Sequence, residues 1–198
     1  MVLAPGAGAD AEHHTLVAVA ERVAPLPVAR IDFPYRRAGR RAPDRAPTLV
    51  ACVVGEASAL AQRTGVPAER IVLGGRSMGG RMCSMAVAEG LPAAGLILLS
   101  YPLHPPGRPE RMRTEHFPSL RLPCLFVAGT RDPFGRPDEI EAATAAIPGP
   151  VTHVWLDGEG HEPKRSDDTI ADAVAGWLAG SAAGGGGGGD RDRPVRRT

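Results

Sequence analysis

A serine framed by glycines, Gly75-Arg76-Ser77-Met78-Gly79, stands where an apolar run at residues 70–73 gives way to a helical pattern. A hydroxyl is a weak nucleophile at neutral pH and becomes competent for acyl transfer only when a neighbouring base takes its proton. The G-x-S-x-G pattern suits a sharp strand-to-helix turn, because a side chain on either side would strike the adjoining strand or helix. In a chain with 25 glycines the match is weak by itself. Its position between a strand pattern and a helix pattern gives it weight. The helix that follows also points its positive end at the place where an oxyanion forms. A phosphate-binding turn is the competing reading, but neither a Lys-Ser/Thr pair nor G-x-G-x-x-G accompanies the motif.

A nucleophile of this kind needs a base, and the base needs a carboxylate to fix its tautomer. In this arrangement the order along the chain is serine, acid, histidine. Asp132 lies in GTRDPFG, just after the apolar run 124–128, and His161 lies in DGEGHEP, just after the run 151–156. Both follow strand patterns, at the ends where open α/β sheets hold their ligands. Asp157 and Asp138 are alternative acids, Asp157 being on the same loop as His161, which is the less usual geometry. His13, His14, His104, His116 and His153 are alternative bases, and His153 falls inside a strand pattern where a structural role is expected. The two oxyanion donors are expected to be the backbone N–H of Met78 and that of Ala7 in Pro5-Gly6-Ala7-Gly8, with Gly8 as the alternative.

Residues 101–122 form the one insertion long enough to overhang such a site. They are rich in proline and carry His104, Arg108, Arg111, Arg113 and His116, so the pocket is expected to be shallow and accessible. His104 and Arg76 are candidate substrate contacts, and Arg76, Arg81 and the insertion arginines suggest an anionic substrate. A solvated surface is the plainer reading of those arginines.

Helices and strands must bring these residues together. Strand patterns fall at residues 1–4, 28–33, 70–73, 95–100, 124–128 and 151–156, and helix patterns at 12–23, 48–64, 79–89, 137–146 and 167–179. Residues 36–46, rich in arginine, proline and alanine, read as a loop. The run GLILLS has no alternation, as in a strand buried on both faces. Strands alternating with helices at this spacing predict an α/β fold. Its sheet is mostly parallel, of about six strands, with helices on both faces in a three-layer sandwich.

The chain has 198 residues, a formal net charge of +1, 43% hydrophobic residues and 23% charged ones, which suits a globular domain and not a basic nucleic-acid binder. Cys52, Cys83 and Cys124 lie in apolar stretches without zinc spacing and read as small hydrophobes in a reducing compartment. MVLAPGAGAD lacks the charged start and apolar run of a secretory signal, and no apolar run nears the roughly 20 residues of a membrane helix. A cytoplasmic protein with a small-molecule substrate and neither nucleic-acid nor membrane partner is expected. The histidines and carboxylates show no ligand spacing in sequence, so no metal or organic cofactor is expected. Residues 1–180 read as the domain and residues 181–198, with six consecutive glycines and an arginine-rich end, as a disordered tail.

The segments LAPGAGAD, IDFPYR, GGRSMGGRM, SYPLHPPGRPERMRTEHF, FVAGTRDPFG and the GEGHEPK loop together resemble one branch of the α/β-hydrolase superfamily. That hydrolase-like domain is shared by small bacterial predicted hydrolases, a testis-expressed eukaryotic protein and subunit 3 of the non-specific-lethal histone-acetyltransferase complex. It is more distantly similar to dienelactone hydrolases. The resemblance covers residues 1–178 and implies the α/β-hydrolase fold with Ser77, Asp132 and His161 as the triad. Two departures are visible. Pro5-Gly6 stands where such hydrolases often carry His-Gly, and the chain starts almost at the third strand of the full fold, a minimal form lacking the usual first strands. Three functions are compatible with these residues: an ester or thioester hydrolase working through an acyl-enzyme, a peptidase on the same triad, and a non-catalytic interaction module.

Overall fold

The computed structural model describes residues 1–184. Six strands run in chain order: β1 (Val2–Ala4), β2 (Ala29–Arg30), β3 (Val72–Arg76), β4 (Gly95–Leu99), β5 (Cys124–Gly129) and β6 (Val151–Leu156). The helices are α1 (His14–Arg22), α2 (Pro34–Arg37), α3 (Ala46–Thr64), α4 (Met78–Ala88), α5 (Pro137–Thr144) and α6 (Asp167–Gly184). The strands form one sheet in the order β2-β1-β3-β4-β5-β6, and every neighbouring pair is parallel.

The chain moves outward from β1 to β2, then crosses back to β3 and continues in that direction to β6. Because parallel crossovers are right-handed, this reversal places helices on opposite faces. Leu16 and Val19 of α1 pack with Ile170, Ala171 and Val174 of α6 on one face. Leu49, Val50, Val53, Ala57 and Leu60 of α3 form a stripe at helical spacing on the other, with Met82, Cys83 and Ala86 of α4 and Ile140 of α5. Central strands feed both layers by alternation. Leu96, Leu98, Cys124 and Phe126 face the α3–α4 side, whereas Ile97, Leu99, Leu125 and Val127 face the α1–α6 side. This double burial explains the unbroken apolar runs of β4 and β5.

Three boundaries differ from those expected. The loop expected at residues 36–46 begins only after α2, whose Tyr35 is fully buried. The strand expected at 28–33 pairs over just two residues, since β2 is an edge strand with one neighbour. Helix α6, expected to end at residue 179, continues to Gly184, and residues 185–198 of the expected tail lie outside the described residues.

The three cysteines are free. Burial pushes the Cys83 and Cys124 thiols up to about 12, which leaves them inert hydrophobes, while Cys52 is half-buried. Among the described residues no helix is long and apolar enough to cross a membrane.

Candidate active site

β3 ends at Arg76 and α4 begins at Met78, which leaves Ser77 as the single residue of the turn. Its backbone has φ 49° and ψ −117°, a conformation that L-residues avoid, at a cost on the order of 1–3 kcal/mol. Contacts on both sides hold it there. Ser77 N–H donates to Leu99 O at 2.8 Å, and the first turn of α4 sits directly on the end of β1. That seating requires glycine at position 79, where a Cβ would lie 2.2 Å from Ala4 O and 2.6 Å from Pro5 O. The turn lies where the strand order reverses, between β1 and β3, the usual crevice of open parallel sheets.

The other two groups arrive from the carboxyl ends of β5 and β6. His161 Nε2 accepts the Ser77 hydroxyl at 2.9 Å, and His161 Nδ1–H donates to Asp132 Oδ2 at 2.8 Å. Asp132 is 1% exposed, and its second oxygen accepts Phe134 N–H at 2.8 Å. A buried carboxylate survives only with such partners, because desolvation of an isolated one costs several kcal/mol. The Phe134 ring lies 4.0 Å from the His161 ring, at 30°, and fixes its plane. The two loops are tied by Arg131 N–H donating to Glu159 O at 2.8 Å. Gly129 permits this, since a Cβ there would stand 2.3 Å from the same carbonyl. The structure therefore brings together the serine, acid and histidine expected from sequence. Asp157 is drawn off to the Thr130 hydroxyl at 3.4 Å, and Asp138 lies in the first turn of α5.

The loop after β1 lies beside Ser77. Gly8 N–H donates to the Tyr35 hydroxyl at 3.3 Å, so of the two donors expected here it is the one already engaged.

Arg76 and His104, expected to contact substrate, are built into the frame instead. Arg76 is 5% exposed; its Nη2 donates to His161 O at 2.6 Å and to Glu162 Oε2 at 2.5 Å. Burial lowers its pKa, and the carboxylate of Glu162 opposes that. His104 is also 5% exposed, with Nδ1 on Pro105 O at 2.9 Å and Nε2 facing Glu139 at 3.4 Å. Its N–H donates to Phe134 O at 3.1 Å, which braces the phenyl ring behind His161. Both side chains thus lie below the surface, although Arg76 Nε and His104 Nε2 have no hydrogen-bond partner.

Other histidines are likewise accounted for. His116 Nε2 meets Ser84 Oγ at 2.8 Å and docks the 101–122 segment on α4; burial, then the charge of Arg81, push its pKa down to about 4. His153 stacks on Trp155 and bonds Thr144 Oγ1 at 3.0 Å, a structural place on an edge strand. Phe134 and Glu162 are the contributors that the sequence did not reveal. Each adjoins or nearly adjoins a triad residue in the chain, but no periodicity distinguishes it.

The fold is shared with solved structures. Est1E from Butyrivibrio proteoclasticus superposes with a TM-score of 0.71 at 17% identity, covering 92% of this chain and 87% of its own. Dienelactone hydrolase from Anabaena variabilis gives 0.72 at 19% identity, covering 90% and 84%. An alpha-beta serine hydrolase homologue from Coxiella burnetii gives 0.72 at 17% identity, covering 89% and 84%. At these identities the likeness shows a common architecture. The match to a sequence family is more specific and spans residues 1–182: the chain belongs to the alpha/beta hydrolase domain family.

Proposed function

We propose that this hydrolase acts on small ester or thioester substrates through Ser77, His161 and Asp132, with an acyl-enzyme intermediate. The observation that carries the reading is the continuous relay from the Ser77 hydroxyl to His161 at 2.9 Å and on to buried Asp132 at 2.8 Å. His161 takes the Ser77 proton as Oγ attacks the carbonyl carbon. Asp132 stabilises the imidazolium, which then returns the proton to the departing alcohol or thiol. Water repeats the sequence on the acyl-enzyme, and the acid product leaves. Met78 N–H and Ala7 N–H receive the oxyanion. The His161 side chain is 18% exposed, so substrate and water reach it without displacing a domain.

The test is labelling with a fluorophosphonate probe, followed by mass mapping and a panel of short acyl esters, acyl thioesters and peptides. Modification at Ser77 with turnover of esters or thioesters is the expected outcome. Folded protein that takes no label would overturn the proposal and leave a binding role for the fold, and turnover confined to peptides would reassign the substrate.

Arg76 enters as a positioning residue, because its guanidinium holds the carbonyl of the base residue itself. A shift of about 1 Å in a catalytic group costs on the order of 10²-fold in rate. Arg76→Met is therefore expected to lower kcat roughly 10²-fold at nearly constant KM. Arg76→Lys, which keeps the charge with one fewer directed donor, recovers part of that loss. Steady-state kinetics beside thermal melting checks this: a fall in Tm with unchanged kcat would leave Arg76 merely structural.

A further inference from the structure

The start of α1 and the loop behind His161 converge on a cluster that the reaction does not use. His13 Nε2 lies 2.9 Å and His14 Nε2 lies 3.7 Å from the same atom, Glu162 Oε1, and the three atoms fall within 4.8 Å of one another. Donors bound to a single zinc-like ion at about 2.0–2.1 Å stand roughly 3.3 Å apart in a tetrahedron. The two distances to Glu162 bracket that value.

The surroundings of His14 point to an ion independently. His14 Nδ1 lies 2.6 Å from Asp167 Oδ2, and the other oxygen of Asp167 accepts the Thr15 hydroxyl at 2.7 Å. Asp167 is thus oriented by Thr15, and its Oδ2 holds His14 Nδ1, which leaves Nε2 on the side of Glu162 Oε1 at a distance too long for a hydrogen bond. A carboxylate behind a ligating imidazole is also the arrangement that orients histidines at metal centres. Glu162 is prepared as well: Arg76 occupies Oε2, which turns Oε1 toward the histidines. His14 and Glu162 have side-chain exposures of 49% and 46%, so an ion has a path from solvent.

We propose that His13, His14 and Glu162 form a binding site for a borderline divalent transition metal, with zinc(II) as the type ion. Two imidazoles and one carboxylate match the preferences of such ions, and the remaining position is left to water. In the metal-free form His13 donates Nε2–H to Glu162. On binding, that proton relocates to Nδ1 of the same ring, at the expense of the 3.3 Å bond from Thr15 N–H. The ion therefore replaces two hydrogen bonds with a bridge between the start of α1 and the loop that carries His161. Sequence spacing conceals the site, since Glu162 lies 149 residues from His13.

Binding is read directly, without reference to turnover, so the hydrolase proposal can fail while this one stands. Tag-free protein is titrated with zinc(II) by calorimetry and with cobalt(II) by visible absorption. One ion per chain is expected, with cobalt ligand-field bands of a low-coordinate site. His14→Ala and Glu162→Gln should each weaken zinc binding at least about 10-fold, and Asp167→Asn about 10-fold through the lost orientation of His14. Cys52→Ser should leave affinity unchanged. Thermal melting confirms that each variant is folded. Absence of saturable one-to-one binding, or binding that survives in both His14→Ala and Glu162→Gln, overturns the proposal.

Discussion

Ser77→Ala should reduce ester turnover by about 10⁴–10⁶-fold, measured as initial rates on the best ester of the panel. The magnitude follows from what remains. Without Oγ no acyl-enzyme forms, and only the Met78 and Ala7 donors with bound water are left to act on the carbonyl. Donors and binding alone retain roughly 10³–10⁴-fold over water in such sites. His161→Ala should cost nearly as much, because Ser77 without its base is an ordinary alcohol. The two should not add: the double variant is expected to match the single ones, since both remove the same step. A Ser77→Ala protein within tenfold of the parent would end the proposed mechanism, whatever else the fold does.

Asp132→Asn should have the next largest effect, a loss of about 10⁴ in kcat with the fold retained. The argument is one of hydrogen-bond polarity. Asp132 Oδ1 accepts from Phe134 N–H and Oδ2 accepts from His161 Nδ1–H, so both oxygens act as acceptors. An asparagine has one acceptor and one donor group at these positions. Keeping the Phe134 bond aims the amide NH₂ at Nδ1, which must then lose its proton. The proton moves to Nε2, and the atom that should receive the Ser77 hydroxyl proton becomes a donor. Turning the amide over restores the tautomer but places two donors, NH₂ and Phe134 N–H, face to face. The first outcome removes the base and the second leaves two donors opposed in a buried place, while shape and volume stay nearly intact. Kinetics with a crystal structure of the variant would show it, and kcat preserved within tenfold would reject the role.

That Ser77, Asp132 and His161 would lie together was legible in the sequence because the constraints are local. A serine elbow needs glycines within two residues, and acid and base need only follow strands that are themselves unbroken apolar runs. The sheet was legible for the same reason. Where the sequence misled, contacts across the fold decided. The strand pattern was expected to end at residue 73, but Gly74 and Gly75 lie inside β3, in a buried strand where neighbouring backbones approach closely. Pro34 to Arg37 has the composition of a loop and is drawn into a helix beside the buried Tyr35, whose hydroxyl holds the Gly8 N–H. Arg76 and His104 were expected to contact substrate, Arg76 for its charge beside Ser77 and His104 for its place in the overhanging 101–122 segment. Their burial depends on His161, Glu162, Pro105 and Glu139, partners that no spacing announces.

The position of β6 at the rim of the sheet has a further consequence. His161 lies 84 residues beyond Ser77, on the loop that follows the last of the described strands. Under the proposed mechanism Ser77 therefore has no base until that strand docks. The same strand has one neighbour, β5, with which it pairs over six residues, and most of its residues are partly exposed. On the same mechanism, loosening of that edge would withdraw the base while leaving the elbow intact. Labelling of Ser77 is then expected to report that this edge of the sheet has docked.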